Sequence, residues 1–459
     1  MNRYFGDRRF YRAILAIAVP IMIQNGITNF VSLLDNIMVG RIGTLQMSSV
    51  SIVNQLIFVY NLCIFGGLSG AGIFSSQYAG KGDMDGLRYT TRFKLYIGIV
   101  LTLAALLLFG FRGDQLIGLY LQDQSNPADA AQALIYGREY LLIMMLGLPP
   151  FFFTQAYAST LRETGETVLP MKAGITAVIV NLVLNYILIF GSFGAPRLGI
   201  AGAAIATIIS RYVECFIVVI WTHRHSRKFC YVIGLYRSLR LPSHLILEVV
   251  KKGTPLLINE TLWSGGMAML LQSYSVRGLS VIAAMNISST LSNIFNIVFI
   301  SLGSTVSILV GQHLGSGRME EAKLTATRMM VFSALSSAGT GLLMVAFHRV
   351  FPLCYNTTDE VRQLAASLIM VTGLLMPLPA FTNATYFTLR SGGKTIITFL
   401  FDSVFVWIIN VPCAYLLSRY TTLPIVLVYL TVQSTELLKC TIGYIMVKKG
   451  IWLNNIINE

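Results

Sequence analysis

QYAGKGD (77–83) returns as QHLGSGR (312–318), with Gln77, Gly80 and Gly82 in register with Gln312, Gly315 and Gly317. Toward the N-terminus the same offset aligns VPIMIQNG (19–26) with TPLLINET (254–261), so Pro20 answers Pro255. Between these stretches Asn61 answers Asn296 and Ser69 answers Ser304. Further along the offset shortens slightly, and LRETGET (161–167) meets LRSGGKT (389–395) with Leu, Arg, Gly and Thr matched. Such identities, colinear over half the chain, mark a duplication. Internal repeats of this size are a transporter habit, and binding sites tend to lie between the repeats.

Composition names the solvent. The chain of 459 residues is 55% apolar and only 12% charged, with a mean hydropathy of +0.68. A soluble domain carries about a quarter charged residues, so lipid must wet much of this surface. A helix needs about 20 apolar residues to cross hydrocarbon, and its backbone groups must be satisfied internally. Runs of that length predict twelve spans, near 11–35, 48–76, 92–111, 134–157, 169–192, 200–221, 246–274, 280–311, 325–347, 362–388, 396–418 and 422–447. The expected fold is an all-α polytopic membrane protein of two six-helix lobes, 1–232 and 233–459, related by a pseudo-two-fold axis along the membrane normal. The first run is too long for a cleavable signal peptide and leads straight into the repeat.

Of the 34 Lys and Arg, 24 fall at the termini and on the connections sharing their side, against 8 on the opposite connections. This bias predicts that both termini are cytoplasmic, in a multi-pass protein of the plasma (inner) membrane. The net charge of +14 is then a matter of topology and calls for no nucleic-acid partner. The most polar stretch, 222–244, joins the lobes on the cytoplasmic side. The six cysteines show no metal or CxxC spacing and read as small core side chains.

Polar residues inside spans are functional candidates by default. Gln24, Thr28, Ser32 and Asp35 fall on one face of the first span, flanked by Asn25 and Asn29. Such a stripe must face other helices or water. Asp35 maps onto Leu270 in the second half, whereas Asn25 maps onto Glu260, beside Asn259 and Trp263. The halves thus hold acids at different depths. A carboxylate at low dielectric that can bind a cation on one side and release it on the other is what ion coupling needs. The second span of each half repeats a polar face: Ser51, Asn54, Phe58 and Asn61 become Asn286, Ser289, Asn293 and Asn296. These rows suit either interhelical hydrogen bonding or a cavity lining. Met267, Met269, Met285, Phe58, Tyr60 and Trp263 nearby suit an adaptable apolar site. Arg211 with Glu214, and Glu436 with Lys439, have the spacing of same-face ion pairs. Asp402 has no such neighbour and remains an open candidate.

These residues resemble the multidrug and toxic compound extrusion (MATE) family over essentially all twelve spans. The likeness rests on LLDNIMVGRIG (33–43), QYAGKGD, LRETGETVLP (161–170), NLVLNYILIFGSFGAPRLGIAGAAIAT (181–207), INETLW (258–263) and LRSGGKT. It implies a V-shaped pair of lobes exporting amphipathic, often cationic, organic compounds, driven by entry of Na⁺ or H⁺. It also implies that Asp35 is the acid of the first helix, Glu260 that of the seventh, and Asn181 an amide near Asp35, with Thr207 joining them. Two positions depart from the family pattern. Some members place a second acid where this chain has Asn185, and some place an acid where it has Pro379. Na⁺ near Asp35 or a proton on it therefore both remain open, with no other cofactor and no resident metal.

The expected function is secondary active transport of small organic molecules by alternating access, by a functional monomer in the bilayer. Asp35, Asn181, Asn185 and Thr207 would couple the ion. Glu260, Asn259, Trp263, Asn286, Asn293 and Asp402 would serve the C-terminal lobe, and Gln24, Thr28, Ser32, Asn54, Phe58 and Asn61 would line the interior. A lipid-linked oligosaccharide flippase would want a basic interior, whereas the acids prevail here. An integral membrane enzyme would want a convergent His and carboxylate set, and four of the five histidines fall in connections instead.

Overall fold

The computed structural model describes residues 4–121, 127–238 and 240–458, leaving out the side chains of residues 31–33, 36, 37 and 44. Ser32 of the polar stripe therefore lies outside the described side chains. All regular elements among the described residues are helical. In chain order they are α1 (Arg8–Gly40), α2 (Thr44–Lys81), α3 (Met84–Leu119), α4 (Pro127–Met145), α5 (Leu148–Glu163), α6 (Val168–Phe190) and α7 (Gly199–Arg224). Then follow α8 (Ser243–Ser275), α9 (Leu279–Gly315), α10 (Met319–Ala346), α11 (Asp359–Leu375) and α12 (Pro377–Ser391). Two further helical segments, Thr395–Tyr420 and Ile425–Lys448, complete the chain.

The repeated motif builds the same turn twice. After α2, Gly82 turns left-handed at φ 77° while Asp83 N–H donates to the Tyr78 carbonyl at 3.0 Å. After α9, Gly317 sits at φ 76° while Arg318 N–H donates to the His313 carbonyl at 3.0 Å. A side chain there would strain the backbone, which is why glycine closes both helices.

Proline repeats a bend as well. α4 and α5 meet at 47°, and α11 and α12 at 49°. Pro149 and Pro150 open the second helix of the first pair, and Pro377 that of the other. Each removes a backbone donor and crowds the preceding turn. The fourth and tenth candidate spans are thus bent pairs rather than the continuous helices their hydropathy predicts. Among the described residues nine helices are long and apolar enough to cross a membrane, or up to eleven if each bent pair is one span. The seventh candidate, α8, is a helix of 33 residues that falls outside that count. It carries Glu248, Lys251, Lys252 and Glu260, which dilute its apolar character.

The helices group into two units. One comprises Met1–Met22, Ser76–Asp83 and Glu248–Glu459. Its core packs Ile14 and Ala18 of α1 with Leu302, Val306 and Val310 of α9, Met329 of α10 and Trp452. Gln77 is fully buried there and pins the C-terminal segment. Its amide nitrogen donates to the carbonyls of Ser391 (3.1 Å) and Asn454 (3.2 Å), and its oxygen accepts from Ile456 N–H (3.0 Å). A Cβ added at Gly80 would overlap the Gln312 backbone, and one at Gly315 the Gln77 backbone, so the two copies of the motif pack reciprocally.

The other unit comprises Ile23–Ser75 and Met84–Leu247. Here Gly191 ends α6 in the left-handed conformation and Leu198 N–H returns to the Leu188 carbonyl at 2.9 Å. This turn lays α7 against α6. Side chains such as Phe111 and Leu107 of α3 and Ile179 of α6 remain exposed, as lipid contact requires. The cysteines depart from the expected core role: only Cys215 is buried and Cys354 is exposed.

Candidate functional site

The α6–α7 hairpin and the second half of α1 converge on Asp35. Asn185 Nδ2 donates to Asp35 Oδ1 at 2.6 Å. The Asn181 amide, oriented as its hydrogen bonds require, places its nitrogen 3.0 and 3.2 Å from the two Asp35 oxygens and its oxygen 3.3 Å from Thr207 Oγ1. Asn181 and Asn185 sit one turn apart on α6 and are both buried. Asn185 Oδ1 is buried with no hydrogen-bond partner. Among the described residues no Lys, Arg or His nitrogen lies within 4.0 Å of Asp35. The group is thus a half-buried carboxylate with amide donors, a hydroxyl and one orphaned acceptor, without a fixed counter-cation. Its oxygens can hold a proton or a small hard cation. All four proposed ion-coupling residues are brought together.

Gln24, Thr28 and the lining residues Asn54, Phe58 and Asn61 belong to the same unit but not to this cluster. Gln24 packs beside Gly174 of α6, and Thr28 Oγ1 donates to the Gln24 carbonyl at 2.8 Å. Asn54 accepts from Tyr140 at 3.4 Å, Phe58 is exposed, and Asn61 Oδ1 is buried without a partner. An exposed amide on an apolar helix has to meet water or protein rather than acyl chains.

In the other unit, Asn259 on α8 is 1% exposed and gathers a second polar cluster. It donates to Asp402 Oδ2 at 3.2 Å and accepts from Ser403 Oγ at 2.7 Å. Asp402 Oδ1 accepts from Lys439 Nζ at 2.8 Å. This corrects the sequence reading of Asp402 as lacking a partner. The pairing rule sees only neighbours on one helix, whereas Lys439 comes from the next segment. Glu436 Oε1 is 4.0 Å from Lys439, as its spacing predicts. Glu260 is half-buried and feels the charges of Arg390 and Asp402. Trp263, Asn286 and Asn293 are exposed, and among the described residues no hydrogen bond joins them to the Asp402 cluster.

Two groups elsewhere differ from expectation. Arg211 does not pair with Glu214. Its guanidinium donates to the Gly147 carbonyl at the α4–α5 bend at 3.3 Å and lies over the Phe151 ring at 5.0 Å. Lys94 escapes a sequence reading because it sits at the edge of its apolar run. In the fold it is fully buried in α3 and pairs with Glu163 at 2.5 Å, with Ser159 and Thr160 hydroxyls at 3.0 and 3.1 Å. Lys94→Met removes the cation paired with the buried Glu163 carboxylate and should cost about 3–5 kcal/mol, whereas removing both charges in Lys94→Met/Glu163→Gln should cost much less. Thermal unfolding of the purified protein checks this order.

The MatE family model matches residues 20–187 and, a second time, residues 255–416. The chain belongs to the MATE family. The two matches begin at Pro20 and Pro255, the register that the repeated motifs set. A probable multidrug resistance protein NorM of Thermotoga maritima is 21% identical over 96% of this MATE chain and 93% of its own. The multidrug resistance protein MdtK of Yersinia pestis is 25% identical over 91% and 89%. Among solved structures, the Vibrio cholerae MATE transporter VcmN superposes with a TM-score of 0.87 at 16% identity, covering 98% of this chain and 99% of that one. A MATE in complex with MaL6 gives 0.85 at 17% identity, covering 98% and 97%. The MATE chain is therefore a multi-pass membrane transporter with the fold of those structures.

Proposed function

We propose that this transporter exports small amphipathic organic compounds, cationic ones among them, in exchange for inward H⁺ or Na⁺. The observation that carries the reading is the Asp35 group: a carboxylate on a spanning helix, held by two amides, with no Lys, Arg or His nitrogen within 4.0 Å among the described residues. The names of the relatives support organic small molecules as cargo. In this scheme residues 1–232 and 233–459 form two lobes in the plasma (inner) membrane, both termini are cytoplasmic, and one chain is the working unit. Glu260 is the acid that meets substrate in the C-terminal lobe.

Ion and substrate favour different packings of the same helices, since a ligand indifferent to the two states moves neither. One elementary charge crossing 100 mV supplies about 2.3 kcal/mol, enough for a gradient of roughly 50-fold. The acidic balance at Asp35 and Glu260 argues against a flippase for an anionic pyrophosphate. Cells expressing the chain should expel ethidium, and ionophores that collapse the proton and sodium gradients should stop the efflux. Efflux that survives both ionophores rules out antiport.

Asn185 also carries a prediction. Asn185→Ala removes a hydrogen bond to a charged acceptor, worth about 1.5–3 kcal/mol. The half-saturating concentration of the coupling ion should shift about tenfold or more, measured by transport against Na⁺ concentration and pH.

A further inference from the structure

Lys439 occupies a site built like a receptor for an ammonium ion. Its Nζ lies 2.8 Å from Asp402 and 4.0 Å from Glu436. The rings of Phe401 and Phe405 stand 5.3 and 5.7 Å away, their centroids close enough for cation–π attraction. Asn259 holds the second Asp402 oxygen. The side chains of Lys439 and Asp402 are only 7% and 18% exposed. Phe401, Asp402 and Phe405 lie on or between two consecutive π-helical turns, Leu400–Val404 and Val406–Asn410. Wide turns of this kind are rare inside α-helices and are found frequently at functional sites. A pair needed only for packing would require one carboxylate. Here a second carboxylate and two aromatic faces surround the same nitrogen, and the three charges still sum to one negative.

We propose that Lys439 is a specificity-determining residue: a tethered cation that fills an ammonium site in the C-terminal unit and closes Asp402 to free cations. The coupling ion is then left to Asp35, and an amine-bearing substrate meets Glu260 rather than Asp402. Removing the lysine stem and its charge should create a site for a free alkylammonium ion. The inference rests on the transport reading only for that consequence, because the test below needs no transport.

The full-length protein is purified in detergent as wild type, Lys439→Ala, and Lys439→Ala/Asp402→Asn. Thermal unfolding is followed against methylammonium and n-butylammonium chloride. A ligand that binds only the folded state raises the midpoint as its concentration passes Kd. For Lys439→Ala we expect a saturable rise of a few degrees, larger for n-butylammonium, whose alkyl chain adds apolar contact that methylammonium lacks. Wild type and the double variant should share one small, non-saturating salt response. If Lys439→Ala yields folded protein only when n-butylammonium is present during purification, that rescue supports the proposal equally. Three results overturn it: a Lys439→Ala response equal to that of the double variant, a saturable response in wild type as large as that of Lys439→Ala, or a Lys439→Ala protein that neither folds nor is rescued while the double variant folds. Loss of ethidium export in cells would bear on the transport reading and leave these melts unaffected.

Discussion

Asp35→Asn is expected to abolish ethidium export and to leave a folded protein in the membrane. The substitution keeps the shape of the side chain and one oxygen to accept from Asn185, which now stands 2.6 Å from Asp35 Oδ1. What it removes is the charge. A neutral amide takes up no proton in the physiological range and gives a cation a much weaker ligand, so the two conformations no longer differ in ion affinity and nothing drives the cycle. Efflux should fall at least tenfold, to the level of cells without the protein. The thermal midpoint should move little, since the local stability change is expected within about 1 kcal/mol. Efflux assayed at matched expression, with a melting curve of the purified variant, separates the two effects. Unchanged efflux at equal expression removes Asp35 from the mechanism.

Gly315→Val should be strongly damaging, far from Asp35 in the chain. A Cβ on Gly315 overlaps the Gln77 backbone, and backbone cannot rotate aside as a side chain can. The reciprocal contact at Gly80 meets the Gln312 backbone. Displacing these segments also disturbs Gln77, whose amide holds Ser391, Asn454 and Ile456. Overpacking at such a contact costs about 3 kcal/mol or more. Little monodisperse protein should be recovered, whereas Gly339→Val, where a Cβ meets nothing within 4 Å, should behave as wild type. Equal recovery of the two variants would show that the motif glycines are not needed for close approach.

Much of this architecture was legible in the sequence because lipid imposes simple rules. Apolar runs located the helices, since hydrocarbon length restricts composition strongly, and the repeated Gly82 and Gly317 turn out to be where both left-handed turns fall. The ion group was legible too. Asp35 stands out as a carboxylate in an apolar run, whereas Asn181, Asn185 and Thr207 came only from the family resemblance; the fold brings the four within hydrogen-bond reach. Partners on different helices were not legible. Asp402 looked isolated because Lys439 approaches from another segment, and Lys94 looked like a connection residue because burial at the end of an apolar run leaves no mark in hydropathy. Arg211 seemed matched to Glu214 by spacing, yet its guanidinium donates to the Gly147 carbonyl at the bend instead. The two bends carried a signal in Pro149 and Pro377 that a window average smooths away.

The most direct test reconstitutes the purified protein in liposomes and imposes a proton gradient and a Na⁺ gradient separately while ethidium uptake is followed. Wild type should accumulate the dye against its gradient under at least one of the two, and Asp35→Asn under neither. Accumulation that ignores both gradients, or that Asp35→Asn retains in full, would contradict ion-coupled transport through Asp35.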